Sequence, residues 1–143
     1  MLPNHFHLIL RIKDSEYLPE NYKNNETKIY QPFSNLFNAY AKAFNKQQQR
    51  TGSLFQKSPK RILIKDENYL RNLIIYVNIN STHHNILDYK KYKYSSYNAL
   101  ISNKLTLLKR EEVINLFDSV ENFKYVLKSK KINIELIREL LLE

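Results

Sequence analysis

Three features of the sequence predict an α+β chain: a short alternating run near the N-terminus, a second extended run near residue 60, and amphipathic helical stretches in the middle and at the C-terminus. Residues 5–12, HFHLILRI, alternate as a strand does, with Phe6, Leu8 and Leu10 on one face and His5, His7, Ile9 and Arg11 on the other. Pro3 and Asn4 just before them are turn chemistry. Residues 13–33 are polar, hold Pro19 and Pro32, and read as a loop. Ser34 suits the N-cap of a helix running to about Arg50, with Leu36, Phe37, Tyr40 and Phe44 as its apolar stripe. Thr51-Gly52 ends it, and an extended segment follows, with a strand at about 60–65. Asp66 can cap a second helix over 67 to about 80, whose core face is Leu70, Leu73, Ile74 and Val77. A polar link rich in tyrosine leads to a C-terminal region from about 109 that holds one or two amphipathic helices, REEVINLFDSVENFKYVLKS and NIELIRELLLE. Composition shifts near residue 100, which divides the chain into a main domain of 1–100 and a helical appendage of 101–143.

Composition narrows the classes of function. The chain has 143 residues, 43% apolar and 26% charged, enough for one packed domain rather than a disordered segment. No stretch approaches the roughly 20 apolar residues that span a bilayer, and no signal-peptide pattern opens the chain. With no cysteine there is neither a disulfide framework nor a thiolate site, and a cytoplasmic location is expected. The net charge of +9 favours a polyanionic partner, nucleic acid first, and the 11 tyrosines offer faces on which unpaired bases can stack. A single glycine excludes the Gly-rich loops that cradle phosphates in ATP- and NAD-dependent enzymes.

The candidate chemistry starts with His5 and His7. Residues i and i+2 of a strand project from one face about 7 Å apart, so two imidazoles there can converge on one ion. Taken alone, two partly buried histidines with hydrogen-bond partners explain the pair as well. His83 and His84 are adjacent, a spacing that seldom serves one site, and they read as a polar helix end. Tyr76 and Asn80 lie one helical turn apart, about 40° around the axis, so both can reach one point. A set of His5, His7 and Asn80 mixes nitrogen and oxygen donors and leaves positions open, which suits Mg²⁺ or Mn²⁺. The Tyr76 hydroxyl, with a reference pKa of about 10, needs help to act as a nucleophile. From spacing alone, Tyr76 is equally an amphipathic core residue.

Four ordered blocks, PNHFHLIL, GSLFQ, YVNIN and YKYSSY, resemble the HUH single-tyrosine transposases of insertion sequences, in particular the REP-associated tyrosine transposases. The blocks span residues 2–97. The resemblance implies a ferredoxin-like antiparallel sheet with helices on one face and the His-x-His pair on a central strand. It implies His5 and His7 as metal ligands, Asn80 as the third metal-side residue, Mg²⁺ or Mn²⁺ as cofactor and Tyr76 as nucleophile. Tyr76 would attack a single-stranded DNA phosphodiester to give a 5′-phosphotyrosine and a free 3′-hydroxyl, which needs no ATP. Single-stranded or hairpin DNA is the implied partner, and Arg50, Lys57, Lys60, Arg61 and Lys65 are candidates for backbone contacts. The sequence allows a monomer or a homodimer, with Tyr76 acting in cis or across it.

There are departures. Ser81-Thr82 stand where relatives carry proline and a small residue, and Tyr94 stands where they carry tryptophan. Relatives also carry a strand and a helix before the His-x-His block, so a missing front end is expected here. Two other readings follow from the same residues: a nucleic-acid-binding remnant without chemistry, and a zinc hydrolase.

Overall fold

The computed structural model describes residues 5–23, 26–55 and 60–129. Among these residues there are helices and turns and no strand, so the predicted α+β, ferredoxin-like sheet is corrected to a helical architecture. Residues 5–12 and 60–65 form no strand. Alternation says which face of an extended segment turns inward; a sheet further requires a neighbouring strand to take up its backbone hydrogen bonds. Burial alternates only over residues 7–10, since Phe6 is partly buried beside His5 and His7 and Arg11 is exposed. Ile9 packs on the core, His5 and His7 are partly buried, and Leu8 is 56% exposed.

Contacts divide the chain into two units, residues up to 9 with those from 63 onward, and residues 10–62. In the second unit, α1 (Glu26–Ile29) packs on α2 (Gln31–Gln47). Helix α2 starts at Gln31 rather than at the predicted Ser34, because Pro32 suits a first helical turn, where its missing N–H costs no bond. No residue of α2 is fully buried. Phe55 of the GSLFQ block lies against two rings of its apolar stripe, Phe37 at 5.7 Å and Tyr40 at 6.4 Å between centroids.

The first unit is built on α3 (Glu67–His83). Asp66 caps it as predicted, its side chain accepting from the Tyr69 N–H at 2.8 Å. The helix runs past the expected end at 80 to His83. Asn85, at φ 54°, then turns the chain. The Ile86 N–H donates to the Ser81 carbonyl at 2.9 Å and the Asn85 N–H to Thr82 at 3.0 Å, the paired bonds of a left-handed helix stop. Ile74, Ile75 and Ile79 join Tyr89, Tyr97, Leu100, Phe117, Phe123 and Leu127 in one core. Tyr97 and Leu100 come from α4 (Tyr97–Ile101), which packs on α5 (Arg110–Asn115), and α6 (Val120–Ser129) packs on α3. The stretch REEVINLFDSVENFKYVLKS forms two helices, because Asp118 takes φ 65° and the Ser119 hydroxyl accepts from the Asn122 N–H to start α6 afresh. The C-terminal helix expected in NIELIRELLLE lies outside the described residues. No helix among the described residues is long and apolar enough to cross a membrane.

Two stability outcomes are expected. Leu127 is completely buried, so Leu127→Ala should cost about 2–5 kcal/mol in urea unfolding. Burial, then Tyr97 and Asp88, raise the Tyr89 pKa above 10.0, and burial, then Asp88, raise that of Tyr97. Unfolded tyrosines therefore lose their protons first as pH rises through 10.0, so this contribution is full below that pH and falls above it. Tyr89→Phe should flatten the decline in urea stability between about pH 9 and 11.

Candidate functional site

The site lies wholly within the first unit, where the extended N-terminal segment meets the C-terminal half of α3. On α3, Tyr76, Asn80 and His83 stand at i, i+4 and i+7, one stripe along the helix. His84 is the C-cap, and its N–H donates to the Asn80 carbonyl at 3.0 Å. The helix stop at Asn85 thus fixes where both imidazoles emerge. On the other segment, Ile9 anchors the inward face in the core, and the period of two brings His7 and His5 in line with it.

These elements bring together all four histidines of the chain and Tyr76. The rings form a closed circuit. His5 is 5.1 Å from His7 and His7 is 5.5 Å from Tyr76, between centroids. Tyr76 is 6.1 Å from His83, His83 is 5.4 Å from His84, and His84 is 5.6 Å from His5. Every pair meets edge to face. Tyr76 is 3% exposed and Asn80 4%, whereas His83 and His84 are exposed. Asn80 Oδ1 is buried and has no hydrogen-bond partner among the described residues. Burial, then the neighbouring His83 and His5, lower the pKa of His84 and favour its neutral form. Among the described residues no group of three His, Asp or Glu side chains could hold a metal ion.

The pairing of His5 with His7 and Tyr76 is therefore present in the fold, with Asn80 one turn from Tyr76 on α3. Sequence reasoning missed His83 and His84 because it weighed them as neighbours. Their helical positions, seven residues after Tyr76 and four after Asn80, were the usable signal. Two of the resembling blocks are also joined directly: Ser96 of YKYSSY donates its hydroxyl to Asn78 Oδ1 of YVNIN at 2.8 Å.

The basic candidates fall in both units. Arg50, Lys60 and Arg61 belong to the second unit and Lys65 to the first, and all four are exposed. Arg50 donates to the Ser53 carbonyl at 3.2 Å, and the Arg61 guanidinium lies 4.1 Å from the centre of the Tyr30 ring. Lys57 lies outside the described residues. In the first unit, Lys93 stands 4.8 Å from the centre of the exposed Tyr94 ring, beside exposed Lys90 and Lys91.

No known protein family, curated protein or solved structure matches the chain.

Because Tyr76 is packed on several sides, Tyr76→Ala should cost about 3–5 kcal/mol in urea unfolding, in the range for losing a buried aromatic ring. Tyr76→Phe keeps the ring and should leave stability within about 1 kcal/mol of the parent.

Proposed function

We propose that this chain cleaves and rejoins single-stranded DNA through Tyr76, as an endonuclease and strand transferase of the transposase type. The observation that carries the proposal is the 5.5 Å approach of the His7 ring to Tyr76, between segments far apart in sequence. The absent sheet does not enter into it. The support is local: a phenol, an amide and imidazoles held on one helix face and one extended segment, in the order in which the resembling blocks carry them.

The Tyr76 oxygen attacks phosphorus as its proton passes to an imidazole of the cluster. The bond to the 3′ oxygen breaks, giving a 5′-phosphotyrosine and a free 3′-hydroxyl. Attack by another 3′-hydroxyl reverses the step and joins strands, so the bond energy is kept and no nucleotide cofactor is needed. His5, His7 and Asn80 are the residues that would hold a divalent ion, Mg²⁺ or Mn²⁺ by the resemblance. The buried Asn80 Oδ1, with no partner among the described residues, fits that role. Such an ion, when bound, polarises the phosphorus and stabilises the leaving oxygen. The net charge of +9 and the exposed Tyr94 among lysines suit a single strand, whose backbone they attract and whose bases can stack.

A second reading has one observation in its favour. Tyr76 is 3% exposed, so no phosphate reaches it in this conformation, as in a chain that binds nucleic acid and performs no cleavage.

The test is incubation of the protein with hairpin-flanked single-stranded oligonucleotides in Mg²⁺ or Mn²⁺, resolved on a denaturing gel. A covalent protein–DNA band that Tyr76→Phe abolishes is the expected result. Salt-sensitive hairpin binding with no covalent band from either protein would leave the binding-only reading in its place.

A further inference from the structure

We propose that Tyr94, with the lysines that flank it in its turn, is a stacking site for one base of single-stranded DNA, separate from Tyr76. The proposal rests on the reading that a single strand is the substrate, and it adds a second point of hold on that strand.

The segment 88–97 uses its tyrosines unequally. Tyr89, Tyr92 and Tyr97 are buried, whereas Tyr94 is 59% exposed. Core packing accounts for the first three and not for the fourth. A single exposed aromatic ring is ordinary by itself, so the setting carries the argument. Lys90, Lys91 and Lys93 are all exposed, and no acidic residue occurs from Tyr89 to Arg110. The acid just before them, Asp88, accepts the Lys90 N–H at 2.9 Å within the turn. A flat ring among cations matches two features of a single strand, its uncovered base faces and its regular phosphates.

The ring is also held ready. It meets the buried Tyr92 edge to face, 5.7 Å between centroids, which braces it against the core. The turn beneath is fixed by the Lys91 N–H donating to the Asp88 carbonyl at 2.9 Å and the Ser95 hydroxyl donating to the Tyr92 carbonyl at 3.3 Å. A ring placed in advance loses little freedom when a base stacks on it. Lys93 Nζ lies 4.8 Å from the centre of the Tyr94 ring, a cation–π contact. Its four-carbon stem is flexible, so the ammonium can exchange the ring for a phosphate when a base arrives.

The position of the turn separates this site from the reacting bond. Ser96 donates to Asn78 Oδ1 at 2.8 Å and so ties the turn to α3. At about 100° per residue, Asn78 lies about 160° around the helix from both Tyr76 and Asn80. The turn therefore meets α3 on the side away from the Tyr76 stripe. A base on Tyr94 belongs to the strand flanking the scissile phosphate, and Tyr94 holds the strand without taking part in the chemistry. Every base has a face to stack, so the site adds affinity without choosing sequence.

The test measures binding of the full chain to labelled oligo(dT), oligo(rU) and a fully paired DNA duplex by fluorescence anisotropy, beside the covalent-band assay. Tyr94→Ala should weaken oligo(dT) binding at least about fivefold, and Tyr94→Phe and Tyr94→Trp should stay within about twofold of wild type, because the ring and not the hydroxyl makes the contact. Duplex binding should change less than about twofold in Tyr94→Ala, since paired bases offer no face. Replacing Lys90, Lys91 and Lys93 together by glutamine should lower the salt slope of oligo(dT) binding by about two, at about 0.7 per phosphate contact. Tyr94→Ala should raise the DNA concentration that gives half the maximal cleavage rate and leave the rate at saturation within about twofold. Circular dichroism checks the fold of each variant. Unchanged oligo(dT) binding in Tyr94→Ala, an equal loss on the duplex, or an equal loss in Tyr94→Phe would overturn the proposal, and a covalent band lost only with Tyr76 would still uphold cleavage. Binding that depends on Tyr94 with no covalent band would uphold the stacking site and end the cleavage reading. Wild-type protein that binds oligo(rU) alone, or neither single strand, would overturn both.

Discussion

The burial of α3 on almost every side is the constraint on which the rest of its unit depends. Nine of its residues are buried, including three polar ones, Asn78, Asn80 and Ser81. A helix in that position satisfies its own backbone, but each buried polar side chain needs an answer of its own. The apolar ones are answered by the C-terminal segments, where Phe123 and Leu127 of α6 are completely covered. The stripe that carries Tyr76, Asn80 and His83 is instead met by the extended N-terminal segment, through the His7 ring. One helix thus serves as the axis of the core and as the wall of the site, and the packing on its other faces fixes the direction in which Tyr76 projects.

The helix stop has a similar double use. Asn85 accepts the left-handed conformation that ends α3, and the carbonyls freed at the helix end are taken up by Asn85, Ile86 and His84. Among these, the bond from the His84 N–H to the Asn80 carbonyl ties the residue leaving the helix to the amide residue one turn inside it. Thr82 then holds the returning chain, its hydroxyl accepting from the Tyr89 N–H at 2.7 Å. Tyr89 in turn meets Tyr97 at 5.0 Å, and Tyr97 meets Phe123 at 6.2 Å, so the end of α3 is braced back into the core. The positions of His83 and His84 follow from this chain of contacts.

How much of this was legible in the sequence differs by element. The Asp66 cap and the existence of α3 were legible, because a capping side chain and a 3.6-residue period are local signals. The full burial of α3 was not, since a periodic stripe reports one packed face and the others are covered by segments distant in sequence. The strand at 5–12 shows the same limit in sharper form. Alternation matched burial only over residues 7–10, and pairing into a sheet depends on a neighbour that no alternating pattern encodes. The break at Asp118 was passed over, although aspartate is among the few residue types that accept a positive φ. In the site, His5, His7, Tyr76 and Asn80 were read from spacing and resemblance. His83 and His84 were passed over because adjacency in sequence was weighed before position on the helix.

Two asparagines in one block separate structural from chemical use of the same side chain. Asn78 is 2% exposed and fully employed: its amide nitrogen donates to the Ile74 carbonyl at 2.8 Å and its oxygen accepts from Ser96 at 2.8 Å. Asn80, two residues on and 4% exposed, has an oxygen with no partner among the described residues. Leaving a buried acceptor unmet costs about 1–3 kcal/mol, and an apolar residue of similar size would avoid that cost. The fold meets the need of one amide from the neighbouring YKYSSY block and leaves the other idle, on the helix face that also carries Tyr76. It is Asn80, not Asn78, that stands one turn from both Tyr76 and His84, so the unmet acceptor and the phenol share one face of α3.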